Sequence, residues 1–263
     1  MVSQLRYLQD VWAARYFWLH LASSELKYKF RRSKLGMLWT MINPLMLSLI
    51  MGVVFSNLLK ISIVDFIPYV FSGLLVWEFL HNSVVGGCHS LIVSEVYIKQ
   101  FKQPLAIYPL RTTLVNLVSF VIAFLALILW ILVLNPMNLV VAIFAMPLSI
   151  VTLLLLGWPI SILTSFINLK YRDFAQVVAL AMQALWYMSP VFFEPHMFEN
   201  VHLATWLELN PVTHILNLVR APMLYGQFPS LEDFGYVYGL MLILYLLAYL
   251  RIRAEERTLV FYL

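Results

Sequence analysis

The stretch "LKYKFRRSKLGMLWTMINPLM", residues 26–46, sets five cations, Lys27, Lys29, Arg31, Arg32 and Lys34, directly against an apolar run. A bilayer interior offers no water to a free backbone, so an apolar run that enters it does so as a helix. The run continues from Leu38 to about Leu59, and at about 1.5 Å per residue it covers the roughly 30 Å of hydrocarbon. Pro44 falls inside it and predicts a kink. A basic cluster abutting such a segment marks the cytoplasmic face, where it meets anionic lipid, rather than a nucleic-acid surface.

The rest of the chain repeats this pattern. Of 263 residues, 62% are hydrophobic and 11% charged, against about 25% charged in an average soluble domain, which makes this an integral membrane protein. Further apolar spans read as about 67–88, 110–134, 138–167, 174–193 and 234–251, giving six in all. Pro147, Gly157 and Pro159 predict a bent helix over 138–167. An even number of crossings puts both termini on one side. Arg6, Arg15, the five cations of the opening stretch, Lys99, Lys102, Arg111, Lys170, Arg172, Arg251, Arg253 and Arg257 fall in one set of segments. They are 15 of the 17 basic residues; only Lys60 and Arg220 fall in the other set. The positive-inside rule therefore puts the first set, and both termini, in the cytoplasm.

Three regions lie outside the spans. Leu5, Leu8, Trp12, Tyr16 and Leu19 recur at helical spacing, with Arg6 and Asp10 placed for an i, i+4 pair, which describes a helix lying in the membrane interface. The first 34 residues lack a clean apolar core and a small-residue cleavage site, so no secretory signal peptide is expected there. Residues 252–263 form a cytoplasmic tail, and the whole of 1–263 reads as one transmembrane domain with 38–251 as its spanning part. Residues 194–233 lie outside, yet carry Trp206, Leu207, Ile215, Leu216, Leu218 and Val219. Apolar helical spacing interrupted by Pro195, Pro211, Pro222 and Pro229 predicts short helices that dip back into the outer leaflet or cap a cavity.

Motifs for bond chemistry are missing. With nine glycines the chain has no GxxxxGK[ST] phosphate loop, and it has no GxSxG elbow or HExxH helix. Its lone cysteine, Cys88, makes no disulfide or thiol metal motif. Two Glu-x-x-His pairs, Glu78 with His81 and Glu199 with His202, have di-metal spacing, but one lies in a span and the other outside, so no metal site is expected. Glu78, an ionisable group near mid-bilayer beside Trp77, has two readings: hydrogen-bonded to His81 or Asn82, or facing a transport pathway. The aromatics, 15% of the chain, anchor spans at both interfaces or, where they face water, offer apolar faces to sugar rings.

Between the second and third spans, "SLIVSEVYIKQFKQPLAIYPLR" at 90–111 suggests a short amphipathic cytoplasmic element, with Glu95 and Lys99 spaced for an i, i+4 pair. It is either a plain connection or a docking knob that also uses Lys102. A second cytoplasmic loop carries Tyr171, Arg172 and Asp173, whose charges serve helix termini or a partner.

Taken together, "YKFRRSKLGMLWTMINPL" at 28–45, "SGLLVWEF" at 72–79, "FKQPLAIYPL" at 101–110, "YRDF" at 171–174, "SPVFF" at 189–193 and "NPVTHILNLVRAPML" at 210–224 resemble the permease subunit of type-two ABC exporters. The resemblance is to the branch that exports lipid-linked polysaccharide such as O antigen, capsule or teichoic acid. Two positions depart from the family pattern: Glu78, where a neutral polar residue is usual, and "FKQP", where a proline followed by arginine is common.

The resemblance implies an all-α membrane protein of the bacterial inner membrane, with six transmembrane helices, an N-terminal interfacial helix, a cytoplasmic coupling helix and short re-entrant gate helices before the last span. It implies a homodimer bound to two separate ATP-binding subunits, which hold ATP and Mg, while this chain binds no cofactor. Glu95, Lys99 and Lys102 would then couple to the ATPase. Lys29, Arg31 and Arg32 would meet the pyrophosphate of a polyprenyl carrier, and Trp77 and Glu78 would lie on the pathway. A small-molecule exporter of the same architecture is the nearest alternative. A membrane enzyme acting on lipid-linked sugars through Glu78, His81 and Glu208 is the more distant one.

Overall fold

The computed structural model describes residues 4–193, 204–259 and 262. Two short helices open the chain, α1 (Gln4–Ala13) and α2 (Arg15–Phe30), where the sequence pattern predicts one over 5–19. They break at Ala14, and the Trp18 indole closes the corner by donating to the Val11 carbonyl at 3.1 Å. A 3₁₀ turn at Gly36–Leu38 then leads into α3 (Trp39–Leu59), which runs through Pro44 without interruption.

α4 (Ile63–His81) continues through a π-helical turn at Asn82–Gly86 into the short α5 (Gly87–His89), forming one membrane-length rod, Ile63–His89. α6 (Glu95–Gln100) is the short helix expected after this span. Two long helices follow, α7 (Ile107–Leu134) and α8 (Asn138–Lys170), the latter carrying both Pro147 and Pro159. α9 (Phe174–Tyr187), α10 (Ala204–Leu209), α11 (Pro211–Leu224) and α12 (Leu231–Leu259) complete the chain.

Among the described residues five helical stretches are long and apolar enough to cross a membrane, where six spans are expected. The difference lies at 174–193. There α9 has 14 residues, about 21 Å of helix against roughly 30 Å of hydrocarbon. Beyond it the chain turns, because Asn210 donates to the Met188 carbonyl at 3.3 Å and the Ser189 hydroxyl at 2.9 Å, and Arg220 grips the Pro190 and Val191 carbonyls at 2.6 Å each. Residues 188–193 nevertheless reach the opposite end of the bundle from Phe174, since Tyr69, in the second turn of α4, donates to the Phe193 carbonyl at 2.8 Å.

Both chain ends meet at one end of the bundle. The Tyr7 hydroxyl donates to Glu256 at 2.7 Å, and Arg172 donates to the Tyr262 carbonyl at 3.3 Å. At the other end Asn138 ties the start of α8 to the last turn of α11, donating to the Leu224 carbonyl at 2.8 Å.

Lipid is as apolar as leucine, so helix association here rests on close backbone approach and on interhelical hydrogen bonds. A Cβ on Gly87 would lie 2.8 Å from the Ser161 Cα, and one on Gly157 would lie 2.9 Å from Ser83 Oγ and from the Thr113 methyl. Through that contact Ser161 donates to the Ser83 carbonyl at 2.8 Å, a backbone oxygen of the π turn. α4 is the central element, buried continuously from Phe66 to Trp77. By contrast α3, α9 and α12 leave broad apolar faces outward.

Candidate functional site

Reaching inward from the basic end, the site is assembled from α2, α3, α4, α7 and α9. Between Phe66 and Leu80, Glu78 is the one residue of α4 that is exposed. It opens into a cavity of about 500 Å³. Trp77, one position earlier and buried, lines the same space. α3 contributes Trp39 and Asn43, α7 contributes Asn116 and Ser119, and α9 contributes Trp186. Lys29, from the last turn of α2, completes the wall with Phe30, its ammonium 5.5 Å from the centre of the Phe30 ring.

Several polar groups of these residues have no protein partner. Among the described residues the Asn116 amide Nδ2 and the Trp186 indole Nε1 are buried without a hydrogen bond, and nothing hydrogen-bonds to or ion-pairs with the Glu78 carboxylate. Buried polar groups are ordinarily satisfied; these two donors belong to residues of the cavity wall, with the donor atoms themselves closed off from solvent. A second cavity, about 550 Å³, shares Trp77, His81 and Trp186 with the first and is bounded beyond them by Gln176 and Gln183 of α9. The three shared side chains are a common wall.

The remaining residues singled out in the sequence are placed as follows. Lys29 faces the cavity, whereas Arg31 and Arg32, past the end of α2, are exposed and do not line it. Glu95 and Lys99 pair at 2.5 Å on the outer surface of α6, and Lys102 is exposed just beyond. Tyr171 is exposed; Asp173 caps α9 by position only, and the side chain that satisfies the helix start is Asn168, which accepts from the Ala175 N–H at 3.0 Å. His81 lies on the cavity near Glu78, but Glu208 is in α10, where its carbonyl faces His214 at 2.8 Å, so the three residues of the enzyme reading do not come together. Glu199 and His202 lie outside the described residues. No group of three or more metal-ligating side chains occurs among the described residues.

Four features escape sequence reasoning. Glu256 accepts from Tyr7 and from the Leu105 N–H at 2.9 Å, joining α1, α12 and the strand of chain between α6 and α7. Burial, and secondarily the adjacent Glu256 carboxylate, push the Tyr7 phenol well above its ordinary value. Close by, buried Arg111 of α7 pairs with Glu25 of α2 at 2.8 Å. At the other end Asp233 gathers His214 at 2.8 Å, Asn217 at 3.0 Å and Ser230 at 2.7 Å, and Arg220 is sunk against Tyr69. Only the i, i+3 spacing of His214 and Asn217 was available as a signal.

Similarity to known proteins adds to this geometry. Two O-antigen export system permease proteins RfbA of Klebsiella pneumoniae are each 23% identical to this chain over 177 residues, 67% of this chain and 68% of theirs. An O-antigen export system permease protein RfbA of Myxococcus xanthus is 24% identical over 241 residues, 87% of this chain and 88% of its own. The family model for the ABC-2 type transporter matches residues 16–224, and with that match over most of the length and a bundle of membrane-long helices, the chain belongs to the ABC-2 type transporter family as a multi-pass transport subunit rather than an enzyme.

Proposed function

We propose that this chain is the transmembrane subunit of an ATP-driven exporter that moves a polyprenyl-pyrophosphate-linked polysaccharide, O antigen being the best fit, from the inner to the outer leaflet of a bacterial inner membrane. Two copies form the passage, and two separate ATP-binding subunits, which hold ATP and Mg, drive it. The basic end faces the cytoplasm with both termini. The sixth crossing is completed by α9 with the turns at 188–193, and α10 and α11 act as re-entrant gate helices in the outer leaflet.

The observation that carries this reading is the wall chemistry of the 500 Å³ cavity. Trp39, Trp77 and Trp186 line it, and tryptophan is a residue type whose ring stacks on the C–H face of a pyranose. The amides of Asn43, Asn82 and Asn116 and the Ser119 hydroxyl sit among them, suited to sugar hydroxyls. A small lipophile would make no use of these polar groups. Lys29 stands at the same cavity, where an ammonium attracts a multivalent phosphate. The names of the relatives from Klebsiella and Myxococcus agree with a polysaccharide cargo.

The test is a strain deleted for this chain and lacking any other exporter. Lipid-linked polymer is expected to accumulate on the cytoplasmic side, with surface polymer restored by the wild-type chain and not by Trp186→Ala. Normal surface polymer in the deletion strain rejects the reading. ATPase stimulation of the reconstituted complex by small lipophiles but not by polymer would favour the small-molecule exporter.

A further inference from the structure

We propose that Glu78 is a charge filter that restricts the cargo to polysaccharide whose sugars near the lipid carrier are uncharged, and excludes those bearing uronic acids. This rests on the proposed export of lipid-linked polysaccharide and adds the substrate class.

Every other residue of α4 from Phe66 to Leu80 is buried, so the helix turns this one carboxylate alone into the cavity. No described residue hydrogen-bonds to it or pairs with it within ion-pair distance. A structural carboxylate in a membrane span is normally matched to a cation or to backbone N–H groups; this one keeps its acceptor capacity for whatever occupies the cavity. A neutral sugar satisfies it by donating hydroxyls. A uronate sugar brings a second carboxylate and no additional donor.

The magnitude decides whether that matters. Two like charges about 6 Å apart disfavour occupancy by roughly threefold if fully water-screened, and by roughly a hundredfold at the effective dielectric of a protein surface. The cavity, walled by Trp39, Trp77 and Trp186, lies toward the second limit. Lys29 is the cation whose field reaches Glu78, and its exposed ammonium is also the group that a pyrophosphate takes up. With the phosphates bound there, Glu78 is left as the unmatched charge facing the first sugars. His81, Asn82 and Asn116 complete the surroundings, and none of them carries a fixed positive charge.

The experiment uses the complex of this chain with its ATP-binding subunit in lipid nanodiscs and two radiolabelled probes. Both are polyprenyl-pyrophosphate-linked pentasaccharides, identical except for glucose or glucuronate at the second sugar. The wild-type complex is expected to bind the glucose probe at least about tenfold more tightly. Glu78→Gln, which keeps the size and a hydrogen-bonding amide, is expected to bring the two within about threefold, chiefly by tightening the glucuronate probe. Glu78→Asp is expected to keep the discrimination. Equal binding of both probes by the wild type, or discrimination that survives Glu78→Gln, overturns the filter while leaving polysaccharide export standing. Binding of neither probe by wild-type complex that is intact by size-exclusion chromatography overturns both.

Discussion

The Arg220 guanidinium lies 3.7 Å from the centre of the Tyr69 ring and also donates to the Tyr69 hydroxyl at 3.0 Å, although 151 residues separate the two. The same guanidinium holds the Pro190 and Val191 carbonyls, so one buried side chain fixes the turn after α9 to α4 and α11. Room for it comes from Gly73, where a Cβ would lie 2.1 Å from the Val191 oxygen and 2.5 Å from Arg220 Nη2. Neither displacement is cheap, since one neighbour is backbone and the other is held by several hydrogen bonds.

Arg220→Leu is therefore expected to destabilise the protein by about 3 kcal/mol, since it strands the buried Val191 carbonyl and leaves the Pro190 carbonyl only the Tyr69 hydroxyl at 3.3 Å. Gly73→Ala is expected to match or exceed that loss. Gly86→Ala is the control, because its Cβ would meet only the Thr112 methyl at 3.9 Å. Thermal melting of the detergent-solubilised protein, followed by size-exclusion fluorescence, measures all three. A Gly73→Ala protein that melts with the wild type would show that the Arg220 knot is not needed for the fold.

The contact between Tyr7 and Glu256 gives a pH dependence. Burial raises the Tyr7 phenol above its ordinary value, so the folded state holds the proton more tightly than the unfolded one. The corresponding stability is whole below about pH 10, the unfolded value, and is lost as pH rises from there toward the folded value. Wild-type protein is thus expected to lose stability above about pH 10 more steeply than Tyr7→Phe, which at neutral pH is weaker by about 1 kcal/mol. Parallel pH profiles for the two proteins would remove Tyr7 from the linkage.

The Glu95–Lys99 pair has both side chains substantially exposed, 41% and 53%. An exposed i, i+4 pair of this kind is worth less than about 0.5 kcal/mol. Lys99→Glu is therefore expected to leave the melting temperature nearly unchanged while lowering transport through a weakened contact with the ATP-binding subunit. Cysteines placed along residues 95–102 are expected to crosslink to that subunit. Unchanged transport together with no crosslink at any of these positions would reassign α6 to a plain connection.

Orientation is open to a direct measurement because the lone native cysteine, Cys88, is buried. Tyr171 and Phe228 are each 61% exposed and sit at opposite ends of the bundle. In whole spheroplasts an impermeant maleimide is expected to label Phe228→Cys and to spare Tyr171→Cys until the membrane is opened. The reverse pattern would invert the topology.

The amino-acid sequence by itself determined that this chain lives in lipid, roughly where its long helices lie and which end is basic, although it missed the break at Ala14, ran 174–193 six residues past α9 and stopped eight residues short of the end of α12. Those properties follow from local facts: a bilayer forces each apolar run into a helix of fixed rise, and charges gather where the runs stop. The α6 helix and its Glu95–Lys99 pair were legible for the same reason, since i, i+4 spacing is a property of one helix. The tertiary structure alone decided which residue of α4 faces a cavity, why α9 stops at 14 residues, and how Tyr7 finds Glu256 across 249 positions. Hydropathy fixes how long a membrane helix is but not what lies beside it. Neighbours in lipid are chosen by small residues that let backbones touch and by polar groups reaching carbonyls far along the chain, and neither leaves a period in the sequence.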